Sequence, residues 1–136
     1  MTKKSLLKYF QTKELCVLST CSLKNKPESA VMCLVTGDDY YFYLFTESTT
    51  RKFHNIEANK NVALVIGGLN DDPSAQINGL AQILDDVDAK NASDLITKIH
   101  PKWKHYFSKS TRFLKFTPKL IHYSDFSKNI FKEFLF

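Results

Sequence analysis

One stretch of the chain alternates between apolar and mostly polar side chains. Residues 74 to 84 read SAQINGLAQIL, which places Ala75, Ile77 and Ile83 on the same face and mostly polar side chains on the other. Because successive side chains of a strand point to opposite faces, this period predicts a strand with one buried face. Gly79 stands on the apolar face and predicts a bulge or a close approach by another backbone.

Further segments have the composition of strands that end in turns. Val62 to Gly68 is apolar throughout, as in a strand covered on both faces, and Pro118 divides residues 112 to 126 into two predicted strands. Asp pairs at 38–39, 71–72 and 85–86 are assigned to turns, where Asp bonds its own backbone. A three-stranded meander is predicted for CVLSTCSL (16–23), ESAVMCLVT (28–36) and YYFYLFT (40–46).

Helical patterns accompany these strands without alternating with them regularly. Helices are predicted at about residues 3 to 13, 50 to 59 and 88 to 107, the last one broken at Pro101. Phe126, Ile130 and Phe134 recur at helical spacing, so the apolar tail at 126–136 is predicted to dock as a helix on its own domain or on a partner subunit. Six or seven strands without βαβ alternation favour an antiparallel barrel with covering helices.

Composition limits the class of protein. A chain of 136 residues that is 43% hydrophobic builds one domain, 1–136, in which residues 1–14 carry the N-terminal helix. No stretch has the length of a signal peptide's apolar region or of a membrane span, so we expect a cytoplasmic protein with no membrane contact. The net charge of +5 keeps a single-stranded nucleic-acid-binding barrel open as an alternative, although a solvated basic face explains this charge better.

Cysteine and histidine give little evidence for metal or thiol chemistry. Three cysteines match neither a disulfide framework nor a zinc knuckle, and nothing near Cys21 or Cys33 marks an activated nucleophile, so reduced core thiols are expected. The spacing of the histidines does not complete a zinc site or specify a haem ligand. No metal site is predicted.

The pair Arg51-Lys52 is unusual for its position. Hydroxyl residues at 48 to 50 predict the start of a helix, so two cations occupy its first turn, where N–H groups already carry partial positive charge. A bound phosphate would make this arrangement favourable, whereas a solvated cation pair is the alternative. The aromatic strand 40 to 46 ends beside this turn and could supply an apolar wall for a planar heterocycle, or barrel packing and an interface.

These features together resemble the pyridoxamine 5′-phosphate oxidase-like family, which folds as an FMN-binding split β-barrel. The resemblance lies in FTESTTRKFHNIEAN at 45–59, preceded by SAVMCLV and followed by VALVI and QINGLAQIL, and it spans roughly Leu15 to Asp125. It is closest to the short members of the general stress protein and flavin reductase type. The implied architecture is a mainly β, antiparallel split barrel of six to seven strands with covering helices.

The resemblance implies a set of cofactor-binding residues. Arg51 and Lys52 match the pair that grips the FMN phosphate, and Thr50 would donate its hydroxyl beside them. The strand along the isoalloxazine edge contacts it largely through the main chain, which corresponds here to residues 30 to 33. The end of the next strand and a glutamine of a later strand also approach the flavin in this family. The implied cofactor-binding residues besides the phosphate group are therefore Ala30, Val31, Met32, Cys33, Phe45, Thr46 and Gln76.

The resemblance also implies a function. We expect a homodimeric, FMN-dependent oxidoreductase with its cofactor at the subunit interface, acting on an unidentified small molecule, with a nicotinamide as a possible electron donor. Ala30 replaces an arginine of the vitamin-processing oxidases, and the chain ends in NIFKEFLF where they continue, so true pyridoxamine phosphate oxidation is not expected. The alternative is a non-catalytic protein that holds FMN, another flavin or haem.

Overall fold

The computed structural model describes residues 1–70 and 72–136. The turn predicted at the Asp pair 71–72 therefore lies partly outside the described residues. In chain order the elements are α1 (Lys3–Gln11), β1 (Leu15–Cys21), β2 (Pro27–Cys33), β3 (Val35–Thr36), β4 (Phe42–Glu47), α2 (Arg51–Ala58), β5 (Asn61–Gly67), β6 (Ser74–Ile83), α3 (Asp86–Ile99), a 3₁₀ helix (Pro101–Tyr106), β7 (Thr111–Asp125) and β8 (Ile130–Leu135).

The strands form one antiparallel sheet that curls into a half-barrel. Their order is β2-β1-β5-β6-β7-β4-β3, and β8 pairs with β7 beside β4. The predicted mainly β split barrel with covering helices is confirmed. Strands β2 and β4 face each other across the opening of the barrel without pairing, and this opening positions the site described below.

The predicted meander forms fully in its first hairpin but over only two residues in its second, where Val35 and Thr36 pair with β4 as expected. β1 and β2 form the expected hairpin, but β4 pairs with β7 and with the two-residue β3. The N–H of Leu34 still donates to the carbonyl of Glu14 beside β1, and the chain then pairs with β4 from Val35 onward. Alternation within a strand sets which face is buried and leaves the pairing partner open, which is why the pattern did not identify β7.

The two strands predicted around Pro118 are one strand. β7 runs from Thr111 to Asp125, and its ladder with β6 shifts where Gly79 pairs with Pro118 and Asn78 pairs with Leu120. The irregularity predicted at Gly79 is therefore present, and the residue without a partner is Lys119 of β7, directly after the proline. Because proline has no N–H, a bulge is a position where the ladder tolerates it.

The helix predicted for the C-terminal tail is also wrong. Ile130–Leu135 is strand β8, which pairs with the second half of β7 beyond the end of β4. Those β7 backbone groups need partners, and a strand supplies them where a helix would not. The side chain of Phe134 enters the core, whereas Phe126 and Phe131 pack on each other outside it.

The core fills the inside of the curled sheet. Leu6 and Phe10 of α1 enter it, and the ring of Phe10 lies 5.2 Å from that of Phe42. Phe53 and Ile56 anchor α2 in the same way at the other side. Buried alternate residues of the strands complete the core, among them Leu18, Leu44, Leu64, Ile66, Ile77, Leu114, Phe116 and Ile121.

Candidate functional site

The turn between β4 and α2 is held by hydroxyl groups. Thr50 is the N-cap of α2: its Oγ1 accepts the N–H of Phe53 at 3.4 Å and donates to the carbonyl of Glu47 at 2.9 Å. Thr46 Oγ1, at the end of β4, lies 3.2 Å from Thr50 Oγ1. The capping prediction at residues 48 to 50 is thus confirmed at Thr50, and the cap fixes the direction in which α2 begins.

A cavity of about 400 Å³ opens at this helix start. We call it the first cavity. It is bounded by the start of α2, the turn before it, and neighbouring residues of β1 and β2. Its lining residues are Leu18, Glu28, Ser29, Ala30, Thr49, Thr50, Arg51 and Lys52. Two cations, the hydroxyls of Thr49 and Thr50, and the free N–H groups of a helix start therefore converge on one concave surface, which is the chemistry that binds an anion.

A carboxylate also belongs to this cavity. Glu28 Oε2 lies 3.0 Å from Nε of Arg51, and Glu28 Oε1 accepts from Nδ2 of Asn55 at 3.1 Å. Asn55 is buried and also donates to Thr20 at 3.0 Å. Glu28 thereby fixes one edge of the guanidinium, while the Arg51 side chain stays 86% exposed. The terminal nitrogens of Arg51 are accordingly accessible to a ligand.

Strand β2 forms one edge of the sheet beside the opening. In the described part of the chain β2 pairs with β1 alone, so its other backbone edge faces the gap toward β4. Ala30 lines the first cavity and Met32 is buried in the core, whereas Val31 and Cys33 lie on the outer face of the sheet. Main-chain groups at 30 to 33 are thus positioned to contact a planar ligand in the gap.

The side chain of Phe45 does not open into the first cavity. It lies on the outer face of β4, where Trp103, Tyr106 and Phe107 cover it with ring-centroid separations of 6.1, 6.5 and 5.0 Å. Thr46, the next residue, faces the other way and reaches Thr50. The structure therefore gathers Ala30, Thr46, Thr50, Arg51 and Lys52 at one place and keeps the ring of Phe45 in the packing of the 3₁₀ helix.

Glu47 joins the end of β4 to the start of β7. Its carboxylate accepts hydrogen bonds from the hydroxyls of Ser108, Ser110 and Thr111. Those hydrogen bonds lower the pKa of Glu47 below its usual value. The segment after the 3₁₀ helix is thereby tied to the turn that carries the candidate site.

Gln76 lies on the outer face of β6, away from the first cavity. The strand registers join Val31, Val17, Val65, Gln76 and His122 in one row across the sheet. Gln76 is therefore three strands from the edge strand β2. The expected approach of Gln76 to a flavin stays a prediction. Within one chain, Gln76 does not reach the first cavity.

An apolar patch occupies the β2 end of that outer face. The side chains of Val31 and Leu15 are 68% and 56% exposed, and Val65 is 39% exposed. They border a shallow cavity of about 520 Å³ that also includes Val17 and Leu69. Neighbouring exposed aliphatic residues on a sheet face are typical of a surface that another molecule covers.

The thiols and possible metal ligands show no reactive cluster. Cys16 is buried, Cys21 and Cys33 are half-buried, and all three are free. Burial raises the pKa of Cys33, with a further rise from the charge of Glu14, and burial raises that of Cys16 to about 12, so neither thiol is activated. Within residues 1–70 and 72–136 no three His, Cys, Asp or Glu side chains converge as around a metal ion.

Sequence reasoning missed part of the cavity wall. Glu28, Ser29 and Leu18 line it beside the predicted residues. Glu28 could have been found from the alternation of β2, because a strand that turns Ala30 and Met32 inward turns Glu28 inward as well. An inward-facing carboxylate is uncommon without a partner, and its partners Arg51 and Asn55 are distant in sequence.

The fold and this cavity define the class of protein. It is an antiparallel split barrel with a positively charged cavity, suited to an anion, at its opening. The sequence model of the family described as pyridoxamine 5′-phosphate oxidase matches residues 2–125. The chain belongs to this family, and the resemblance drawn from the sequence is confirmed. A comparison with curated proteins finds no match.

Solved structures with the same fold cover the chain almost completely. General stress protein 26 from Bacillus anthracis is 26% identical and aligns with a TM-score of 0.73 over 96% of this chain and 98% of its own. A heme binding protein from Mycobacterium smegmatis is 8% identical and aligns with a TM-score of 0.82 over 95% of this chain and 55% of its own. ChuZ from Campylobacter jejuni is 12% identical and aligns with a TM-score of 0.83 over 98% of this chain and 58% of its own.

None of the helices in the described residues is long and apolar enough to cross a membrane.

Proposed function

We propose that this protein is an FMN-binding flavoprotein whose first cavity holds the FMN phosphate. The observation that carries the proposal is the convergence of Arg51, Lys52 and Thr50 on one cavity in a chain of the pyridoxamine 5′-phosphate oxidase family. Arg51 would bind the phosphate through its exposed terminal nitrogens, while Lys52 would add a second positive charge. The hydroxyl of Thr49 would donate a further hydrogen bond, whereas the Thr50 hydroxyl is already engaged with the carbonyl of Glu47 and holds the turn in place.

The balance of charge in the cavity supports a phosphate. Two cations and a helix start face one carboxylate, Glu28, which is already engaged by Arg51 and Asn55. A phosphate dianion would therefore add negative charge where positive charge is in excess. Without an anion, two cations at a helix start are unfavourable by a few tenths of a kcal/mol or more.

The flavin ring would extend from the first cavity into the opening between β2 and β4. The free backbone edge of β2 at residues 30 to 33 would contact the edge of the ring, and Ala30 leaves room beside that strand. The bound flavin supplies hydride or electron transfer to the protein. The chain's own groups would bind the phosphate, orient the ring and exclude water.

The apolar patch on the outer face fits a second copy of the chain. Val31 belongs to the flavin-edge strand and also to this patch, so a partner that covers the patch would sit beside the cofactor. We therefore propose a homodimer with FMN at the subunit interface. An oxidoreductase of this form would accept electrons from a nicotinamide or a similar small donor.

The experiment uses purified protein reconstituted with FMN and followed by flavin fluorescence. Wild type should bind FMN, and the double variant Arg51→Ala/Lys52→Ala should bind it at least about 100-fold more weakly, since two charge-assisted contacts are lost. Lys4→Ala/Lys8→Ala is the matched control, because it removes the same charge from exposed positions on α1. Equal FMN affinity in both double variants would remove the phosphate assignment.

Absorption spectra separate the cofactor alternatives. A Soret band on addition of haem, without flavin uptake, would favour the haem alternative that the Mycobacterium smegmatis structure raises. Reduction of bound FMN by a nicotinamide donor, followed by turnover, would separate an oxidoreductase from a flavin carrier.

A further inference from the structure

A second cavity adjoins the first one on the other side of Arg51. It has a volume of about 600 Å³ and lies between α2 and the turn that joins β1 to β2. One face of α2 forms a wall, because Arg51, His54, Asn55 and Ala58 recur at the spacing of successive helical turns. The opposite wall comes from the hairpin, through Ser22, Leu23, Lys24, Lys26, Pro27 and Glu28.

The hairpin turn has a defined conformation. Ser22 Oγ accepts the N–H groups of Lys24 and Lys26 at 3.2 and 3.1 Å, and the backbone N–H of Ser22 donates to the carbonyl of Lys26 at 3.0 Å. Asn25 adopts a positive φ of 60°, as tight turns often require. The two lysines therefore leave the turn from fixed backbone positions at the mouth of the second cavity.

The two cavities share Arg51 and Glu28. Lys24, Lys26 and Arg51 face the single carboxylate of Glu28 in the second cavity, while His54 is engaged with Glu57 at 3.1 Å. Positive charge is thus in excess on both sides of Arg51. With Nε engaged by Glu28, the guanidinium of Arg51 keeps four terminal N–H donors in a fixed plane and can bind two neighbouring phosphates.

We propose that the second cavity binds the second phosphate of a flavin dinucleotide, with the adenosine end lying along the hairpin. This proposal rests on the FMN site proposed above and extends it to a ligand of two phosphates. The first phosphate occupies the first cavity, the second lies between Arg51 and the lysines, and the exposed side chain of Leu23 offers apolar surface to the base. The same phosphate chemistry could come from a separate mononucleotide, so the experiment includes both sources.

The experiment compares the affinities of FAD and FMN by fluorescence titration of the full chain. Wild type should bind FAD at least as tightly as FMN. The double variant Lys24→Ala/Lys26→Ala should lose about five- to tenfold in FAD affinity and change FMN affinity by less than about twofold. Lys4→Ala/Lys8→Ala, with the same loss of charge on α1, should leave both affinities unchanged.

Three outcomes would overturn the proposal. These are FAD binding more than about tenfold weaker than FMN in wild type, equal losses for both flavins in the lysine variant, or no loss for either. AMP serves as the separate mononucleotide. If AMP competes with FAD but not with FMN, the result supports a bound dinucleotide. If AMP binds together with FMN and the protein does not bind FAD, the result contradicts the proposal. Failure of the FMN site itself is distinct, because FMN would then bind no more weakly to Arg51→Ala/Lys52→Ala than to wild type.

Discussion

Glu28 Oε2 lies 3.0 Å from Nε of Arg51 and places a negative charge inside a cavity whose other charged residues are the cations Arg51 and Lys52. The carboxylate has two effects on an anionic ligand that oppose each other. It orients the guanidinium, and it repels the phosphate through the same half-buried space. Because the helix start fixes the backbone of Arg51 and the exposed guanidinium can turn toward a phosphate without Glu28, we expect the repulsion to be the larger effect.

Glu28→Gln should therefore raise FMN affinity by about two- to fivefold, since a neutral side chain removes the repulsion and still accepts from Asn55. Fluorescence titration at low and high salt measures the change, and the gain should shrink at high salt. Glu57→Gln, at an exposed position on α2, is the matched control. A fall in affinity for Glu28→Gln would show that orientation of Arg51 dominates.

The segments recovered from the sequence are those whose evidence is local. The cap at Thr50, the helix after it and the bulge at Gly79 follow from neighbouring residues. The pairing of β4 with β7 does not, because alternation is equally compatible with several partner strands. The tail was misassigned for the same reason: its helical spacing is real, but the open edge of β7 that recruits β8 is a nonlocal feature.

The candidate site shows the same division. Arg51, Lys52 and Thr50 are consecutive in sequence, so their electrostatic peculiarity was visible there. Glu28 reaches Arg51 only through the curl of the sheet, and the cover over Phe45 on the outer face of β4 comes from residues about 60 positions later in the chain. Contacts of this kind depend on the packing of distant elements and cannot be read from residue spacing.

The hydrogen-bonded carboxylate of Glu47 should make the free energy of unfolding depend on pH. Hydrogen bonds from Ser110, Ser108 and Thr111 lower its pKa in the folded protein below the ordinary 4.5, so the stabilisation is fully present above that value. It is lost as the pH falls through the lowered pKa, where the folded state also takes up a proton. Chemical denaturation should find Glu47→Gln less stable than wild type at pH 7, with the difference shrinking below pH 4.5. A difference independent of pH would contradict this assignment.

Gly79 should be intolerant of a side chain. A Cβ at this position would lie 2.2 Å from the carbonyl oxygen of Thr117 and 2.7 Å from the ring of Phe116. Gly79→Ala should therefore lower the free energy of unfolding by about 1–3 kcal/mol, because the bulge must shift to relieve these contacts. Urea denaturation measures the loss. Leu80→Ala, at the neighbouring and partly exposed position, should cost less, and equal losses would show that the contact with Thr117 is relieved without strain.

If the apolar patch on the outer face is the dimer interface, charged side chains placed in it should separate the two subunits. If a second copy covers Val31 and Val65, then Val31→Lys/Val65→Lys places four lysines in one symmetric interface, and the dimer should dissociate. Light scattering should give wild type twice the 15.7 kDa of a single chain and the variant a single mass. FMN affinity should fall in parallel, because the proposed site lies beside this interface.

The matched control for the patch is Val87→Lys, on the exposed surface of α3, where the valine is 70% exposed. It should leave both the mass and the FMN affinity unchanged. A variant with lysines at 31 and 65 that stays dimeric would place the interface elsewhere. A monomeric variant with unchanged FMN affinity would separate the cofactor site from the partner subunit, because each chain would then hold its flavin with its own cavity alone.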